Sequence, residues 1–162
     1  MARDHAVEGE ITHNVGCELH DFLAGLTEAQ RSKIQALGEV VEIPEDQVIL
    51  DAGERSTYCY LVLKGSVTVA LTTPRVAVSV QVVGPGEVFG WSALLKAQDS
   101  RFQVKAREKT TALRILGSTL AECCRTDSAL GVELLLRFLG VVSQRVSATE
   151  EVFAEWCGIR RS

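Results

Sequence analysis

An α+β domain built around a β-roll, sandwich or barrel is the fold class this sequence predicts, on three observations. Seven short runs rich in β-branched and aromatic residues fall between residues 40 and 116, turn residues fill nearly every gap, and helical periodicity flanks them on both sides. Strands this short and closely spaced argue against a βαβ sheet.

Ahead of the strands, Leu19, Phe22, Leu23 and Leu26 recur at helical spacing. Thr27 before Glu28-Ala29-Gln30 then predicts a capped second helix ending near Gly38, so residues 1–38 read as a helical lead-in. The β zone, residues 39–117, holds runs at 40–43, 47–50, 58–63, 66–71, 76–82, 103–106 and 111–116. Its corners are Pro44-Glu45-Asp46, Ala52-Gly53-Glu54, Lys64-Gly65 and Gly84-Pro85-Gly86. Residues 118–162 return to helix, a short one over 119–125 and a long one capped by Asp127-Ser128. The long helix carries an apolar stripe of Val132, Leu135, Leu136, Leu139, Val142 and Val146, continuing to Phe153 and Trp156. Gly131 and Gly140 interrupt it, each costing about 1 kcal/mol of helix propensity, which close packing would explain. Such a stripe exceeds what one domain edge needs, and it reads either as a dimer seam or as packing on the chain's own sheet.

At 162 residues the chain has the size of one domain, able to bury a core without disulfides or metal. With 46% hydrophobic and 23% charged residues it is not disordered. Its 17 Lys and Arg against 21 Asp and Glu give −4, the wrong balance for a protein that lives on phosphate backbones. Cys17, Cys59, Cys123, Cys124 and Cys157 are odd in number and form no CxxC, so neither a disulfide framework nor a zinc or iron–sulfur site is expected. Cys123-Cys124 offers a redox pair or, as the simpler reading, inert thiols on a helix. The charged start leads into no apolar leader, and no apolar run reaches the roughly 18 residues of a span, so a cytoplasmic protein is expected. GxSxG, HExxH, GxGxxG and GK[ST] patterns are absent, and no enzymatic activity is expected.

Three segments, in order, carry a resemblance. Phe22-Leu23-Ala24-Gly25-Leu26-Thr27 precedes the strands; Ala52-Gly53-Glu54 is followed by Tyr60-Leu61-Val62-Leu63-Lys64-Gly65-Ser66-Val67; and Gly84-Pro85-Gly86-Glu87-Val88-Phe89-Gly90 follows those. Together they resemble the cyclic nucleotide-binding domain family, known from catabolite activator-type regulators, kinase A regulatory subunits and nucleotide-gated channels. The resemblance runs from about Phe22 to Val146. It implies a double-stranded β-helix, jelly-roll-like, flanked by N-terminal helices and a long C-terminal helix, with a phosphate-binding cassette at about residues 84–106.

In such a cassette a glycine corner lets backbone N–H groups of a short helix converge on an anion, here Gly90, Trp91, Ser92, Ala93 and Leu94. A cyclic phosphate carries one negative charge, so one guanidinium suffices, and Arg101 is the candidate. The register is open: counting forward from Gly90 places Arg101 at the phosphate contact, counting back from Val104 places Ser100 there. Two departures stand out. Trp91 occupies the position where the family usually has a glutamate that accepts the ribose hydroxyl, and Phe102 follows Arg101 where a small residue is usual. Each departure, uncompensated, costs about 1–3 kcal/mol of affinity. The resemblance places base recognition on Val78, Val80 and the final helix, where Thr149 falls near the position of a hydroxyl reaching the base across a dimer.

The resemblance therefore implies a stand-alone sensor of cyclic AMP or cyclic GMP that signals through its C-terminal helix to a protein partner in trans, as a homodimer. The alternative is a degenerate domain, its pocket plugged by Trp91, that serves as a dimerisation or docking module. Haem-binding relatives make His20 or Cys17 a third candidate, although His5, His13 and His20 lack metal-ligand spacing. Neither DNA nor a membrane is an expected partner: the chain shows no recognition helix after the long helix, and Arg160-Arg161 reads as a solvated tail.

Overall fold

The computed structural model describes residues 21–95 and 99–159, so His5, His13, Cys17, Leu19, His20, Arg160 and Arg161 lie outside the described residues. Where helical spacing predicts a first helix from Leu19 through Leu26, the described residues of that stretch hold a 3₁₀ turn, Asp21–Leu23. The apolar pattern there reflects burial rather than helix length, since Leu23 and Leu26 both insert into the core. Helix α1, Glu28–Ala36, starts on the predicted Thr27 in a reciprocal capping box with Gln30.

Eight strands follow: β1 Gly38–Ile43, β2 Val48–Leu50, β3 Tyr58–Lys64, β4 Val67–Thr72, β5 Ala77–Val83, β6 Val88–Phe89, β7 Phe102–Ala106 and β8 Thr110–Leu116. All seven predicted runs become strands. The two-residue β6 is additional, held by the pairs Tyr60–Phe89 and Leu61–Val88 with β3. Antiparallel pairing arranges them as two four-stranded sheets, β1-β8-β3-β6 and β2-β7-β4-β5, which face each other as the α+β β-roll.

Alternation along β3 divides the interior. Val62 points into the roll with Leu50, Val67, Val69, Val83, Phe89 and Val104. Cys59 and Leu61 point the other way, into a second core made with the helices. Complete burial there pushes the Cys59 thiol up to about 12, which keeps it unreactive.

Helix α2, Gly117–Thr126, and helix α3, Ser128–Trp156, close the chain. Asp127 caps α3 by accepting the Leu130 N–H at 3.1 Å and pairs with Lys33 of α1 at 2.8 Å. Gly131 lies against α2, where an added Cβ would stand 2.3 Å from the Cys124 carbonyl oxygen. Close packing therefore explains Gly131, but not Gly140, whose missing Cβ would meet nothing within 4 Å. The side of α3 that packs inward is Leu130, Leu134, Phe138 and Arg145, not the stripe singled out in the sequence. Val132, Leu135, Leu136, Leu139, Val146, Phe153 and Trp156 are all exposed.

Candidate functional site

The Gly84-Pro85-Gly86 corner is held by hydrogen bonds. Glu87 accepts the Gly84 N–H on its carboxylate at 2.7 Å, and Gly86 and Glu87 exchange backbone bonds with Val62 of β3 at 2.9 and 3.0 Å. Glu87 is thereby committed to the turn. Strand β6 then delivers Gly90, whose φ of +75° suits glycine and whose Cβ would lie 2.5 Å from the Tyr58 carbonyl oxygen. After Gly90 comes a single 3₁₀ turn, Trp91–Leu94, whose first internal N–H is that of Ala93, donated to Gly90 at 3.0 Å. The N–H groups of Trp91 and Ser92 open the turn, so fewer backbone donors converge here than at the helix terminus expected from sequence. At the back of the turn Ala93 abuts Gly117, where a Cβ would come within 2.2 Å of the Ala93 oxygen. The cassette is thus clamped to the start of α2.

In front of the turn is a cavity of about 70 Å³ lined by Gly90, Trp91, Ser92, Asp99, Ser100, Arg101, Phe102 and Arg145, floored by Leu50, Phe89 and Val104. Among the described residues Arg101 makes no hydrogen bond or ion pair, and its side chain is exposed. Ser100 is occupied instead: its hydroxyl donates to the Phe102 carbonyl at 2.7 Å and accepts the Phe102 N–H at 3.2 Å. Ser100 and Arg101 both line the cavity, and of the two it is the Arg101 side chain that has no partner among the described residues. Asp99 is taken by Arg55 at 3.2 Å, an exposed pair of little energetic weight.

Arg145 is the feature that sequence reasoning missed. It enters the cavity from α3, is only 7% exposed, and lies 5.3 Å above the Phe102 ring. Its Nε–H donates to Gln81 Oε1 of β5 at 2.7 Å. No carboxylate among the described residues lies within 4.0 Å of it, and burial pushes the guanidinium below its ordinary value. A buried cation held by a neutral amide and an aromatic face is costly, and such groups are usually paired. One signal was available in the sequence: Arg145 continues the spacing Leu134, Phe138, Val141 along the inward side of α3.

Of the predicted site residues, the structure brings together Gly90, Trp91, Ser92, Arg101 and Phe102. Trp91 both lines the cavity and packs on the helical core, joined there by Leu94. Ala93 and Leu94 anchor the cassette from behind and do not line the cavity. Val80 falls at the irregularity of the β4–β5 ladder, and neither it nor Val78 lines the cavity. Thr149 donates its hydroxyl to the Arg145 carbonyl at 2.8 Å and sits one turn further along α3, among Val146, Glu150 and Phe153. A neighbouring cavity of about 280 Å³, between β3 and residues 54–57, shares Leu50, Phe89 and Gly90 as a wall. No group of His, Cys, Asp and Glu among the described residues could hold a metal ion.

Residues 40–127 match the family model described as the cyclic nucleotide-binding domain. Among solved structures, a proposed cyclic nucleotide-binding protein from Geobacter metallireducens GS-15 is 27% identical, with a TM-score of 0.67 over 78% of this chain and 92% of that one. A cyclic nucleotide-binding domain from Methylobacillus flagellatus KT gives 0.72 at 18% identity, covering 80% and 74%. The catabolite activator protein of Thermus thermophilus gives 0.70 at 18% identity, covering 84% of this chain but 62% of that one. No curated protein sequence matches the chain.

Proposed function

This chain belongs to the cyclic nucleotide-binding domain family, and from that premise we propose that it senses cyclic AMP or cyclic GMP in the cavity beside Gly90. The observation that carries the reading is Arg145: a residue of the long helix forms a wall of the cavity, so anything bound there acts directly on α3. Arg101 takes the cyclic phosphate with the N–H groups of Trp91 and Ser92, and Trp91 closes the cavity where the family's ribose acceptor is lost. Small-molecule sites measure about 300–1,000 Å³. At about 70 Å³ the cavity admits a nucleotide only when α3 withdraws Arg145 from Phe102. The ligand thereby selects a second position of α3.

The exposed side of α3 supports homodimerisation. Val132, Leu139, Val146 and Phe153 are spaced by seven with Leu135, Leu136 and Trp156 between and after them, as in a helix seam. Thr149 on the same side would then approach the partner's cavity. The output of the sensor is a protein partner that reads the position of α3. Among the described residues no helix is long and apolar enough to cross a membrane.

The second reading, a nucleotide-free docking module, is favoured by the small volume and by Arg145 filling the site. Calorimetric titration of the full chain with each cyclic nucleotide separates the two. Saturable heat with a raised Tm, lost in Arg101→Ala, supports the sensor; no heat and no shift at millimolar nucleotide leaves the docking module.

A further inference from the structure

The cavity's charge selects among nucleotides, an inference that rests on reading the cavity as the nucleotide site. Two guanidinium groups line it, Arg101 from the segment before β7 and Arg145 from α3, and among the described residues neither has an ion-pair partner. The one carboxylate on the lining, Asp99, is engaged by Arg55. Trp91, also on the lining, brings no charge. The lining thus carries two guanidiniums against one carboxylate, and among the described residues neither guanidinium is paired with a carboxylate. A cyclic monophosphate, with one negative charge, neutralises one guanidinium and leaves the second beside it in a poorly hydrated wall.

We propose that the preferred ligand is a nucleotide carrying two negative charges, held by Arg101 and Arg145 together. The groups that hold Arg145 now, the Gln81 amide oxygen and the Phe102 ring, are neutral and weaker than a charge-assisted phosphate bond. An anion reached by both guanidiniums releases Arg145 from both, breaks the tie between α3 and β5, and uncovers the Phe102 face for a base. Two sources fit this chemistry: a terminal phosphate with two charges, or two phosphodiesters in a cyclic dinucleotide.

The test is calorimetry on the full chain with base-matched probes, in adenine and guanine forms: the 3′,5′-cyclic monophosphate, the 5′-monophosphate and the cyclic dinucleotide. One of the two-charge probes is expected to bind at least about tenfold tighter than the cyclic monophosphate, and which one identifies the source. Arg145→Gln is expected to abolish that preference, bringing the two-charge probe and the cyclic monophosphate to within about threefold of one another, and Arg145→Lys to retain part of it. Far-UV circular dichroism confirms that both variants fold. If the cyclic monophosphate binds as tightly as the better of the two-charge probes, or Arg145→Gln weakens all probes alike, the charge proposal falls and the nucleotide site stands. If no probe binds, the nucleotide reading itself falls, and this proposal with it.

Discussion

Replacing Arg145 by Met separates a binding cation from a structural one. In the unliganded protein the guanidinium makes one hydrogen bond, to Gln81 at 2.7 Å, and one aromatic contact, with Phe102 at 5.3 Å. Losing a hydrogen bond to a charged group costs about 1.5–3 kcal/mol, and losing the ring contact about 0.5–2 kcal/mol. Against this stands an unpaired cation, 7% exposed, whose desolvation costs several kcal/mol. Met keeps most of the apolar stem and removes the charge. The opposing contributions cancel to within about 1 kcal/mol, so Tm moves by no more than about 4 °C in either direction. The assay is thermal and urea unfolding at fixed protein concentration, because a dimer's Tm depends on it. Destabilisation of about 3 kcal/mol or more, with nucleotide response unchanged, would make Arg145 a structural tie and refute the reasoning.

Three further outcomes follow from the geometry. Gly131→Ala should cost about 1–3 kcal/mol, because its Cβ would stand 2.3 Å from a carbonyl, whereas Gly140→Ala should gain up to about 1 kcal/mol; urea denaturation compares them, and equal effects would overturn the close packing of α3 on α2. Leu139→Glu, at a residue 64% exposed, should convert a dimer to a monomer in sedimentation without changing the circular dichroism, and a wild-type monomer at tens of micromolar would remove the seam. The Lys33 ammonium and the Leu130 N–H hold the Asp127 carboxyl below its ordinary value. Its contribution is therefore present above the ordinary carboxylate pKa and lost as pH falls through the lowered value. Asp127→Asn should flatten that acid limb of the stability profile, and an unchanged limb would contradict the assignment.

The strands were legible because their runs are rich in β-branched and aromatic residues and bounded by turn residues, and β4 and β7 bury alternate positions. Strand β6 was not, since two residues carry no period; only its pairing with Tyr60 and Leu61 makes it a strand. Helix α3 misled for the opposite reason. It is apolar on two sides, and periodicity cannot say which stripe meets the sheet. Leu130, Leu134 and Phe138 do, leaving Val132, Leu136 and Leu139 outside. That choice of face also hid Arg145, which on a helix read the other way round is a solvated arginine. In the cassette, Gly90 and Arg101 were readable as motif residues. The division between Trp91 and Ser92 in front and Ala93 and Leu94 behind depends on the Gly117 contact, made by a residue distant in sequence.

Hydrogen exchange of the full chain, with and without saturating nucleotide, tests most directly that the cavity beside Gly90 is the ligand site coupled to α3. Slowed exchange is predicted over residues 90–92 and 100–102, with altered exchange in the turn of α3 containing Arg145. Protection confined instead to residues 83–88 and 137–144, which wall a separate cavity of about 160 Å³, would contradict it, as would no change anywhere.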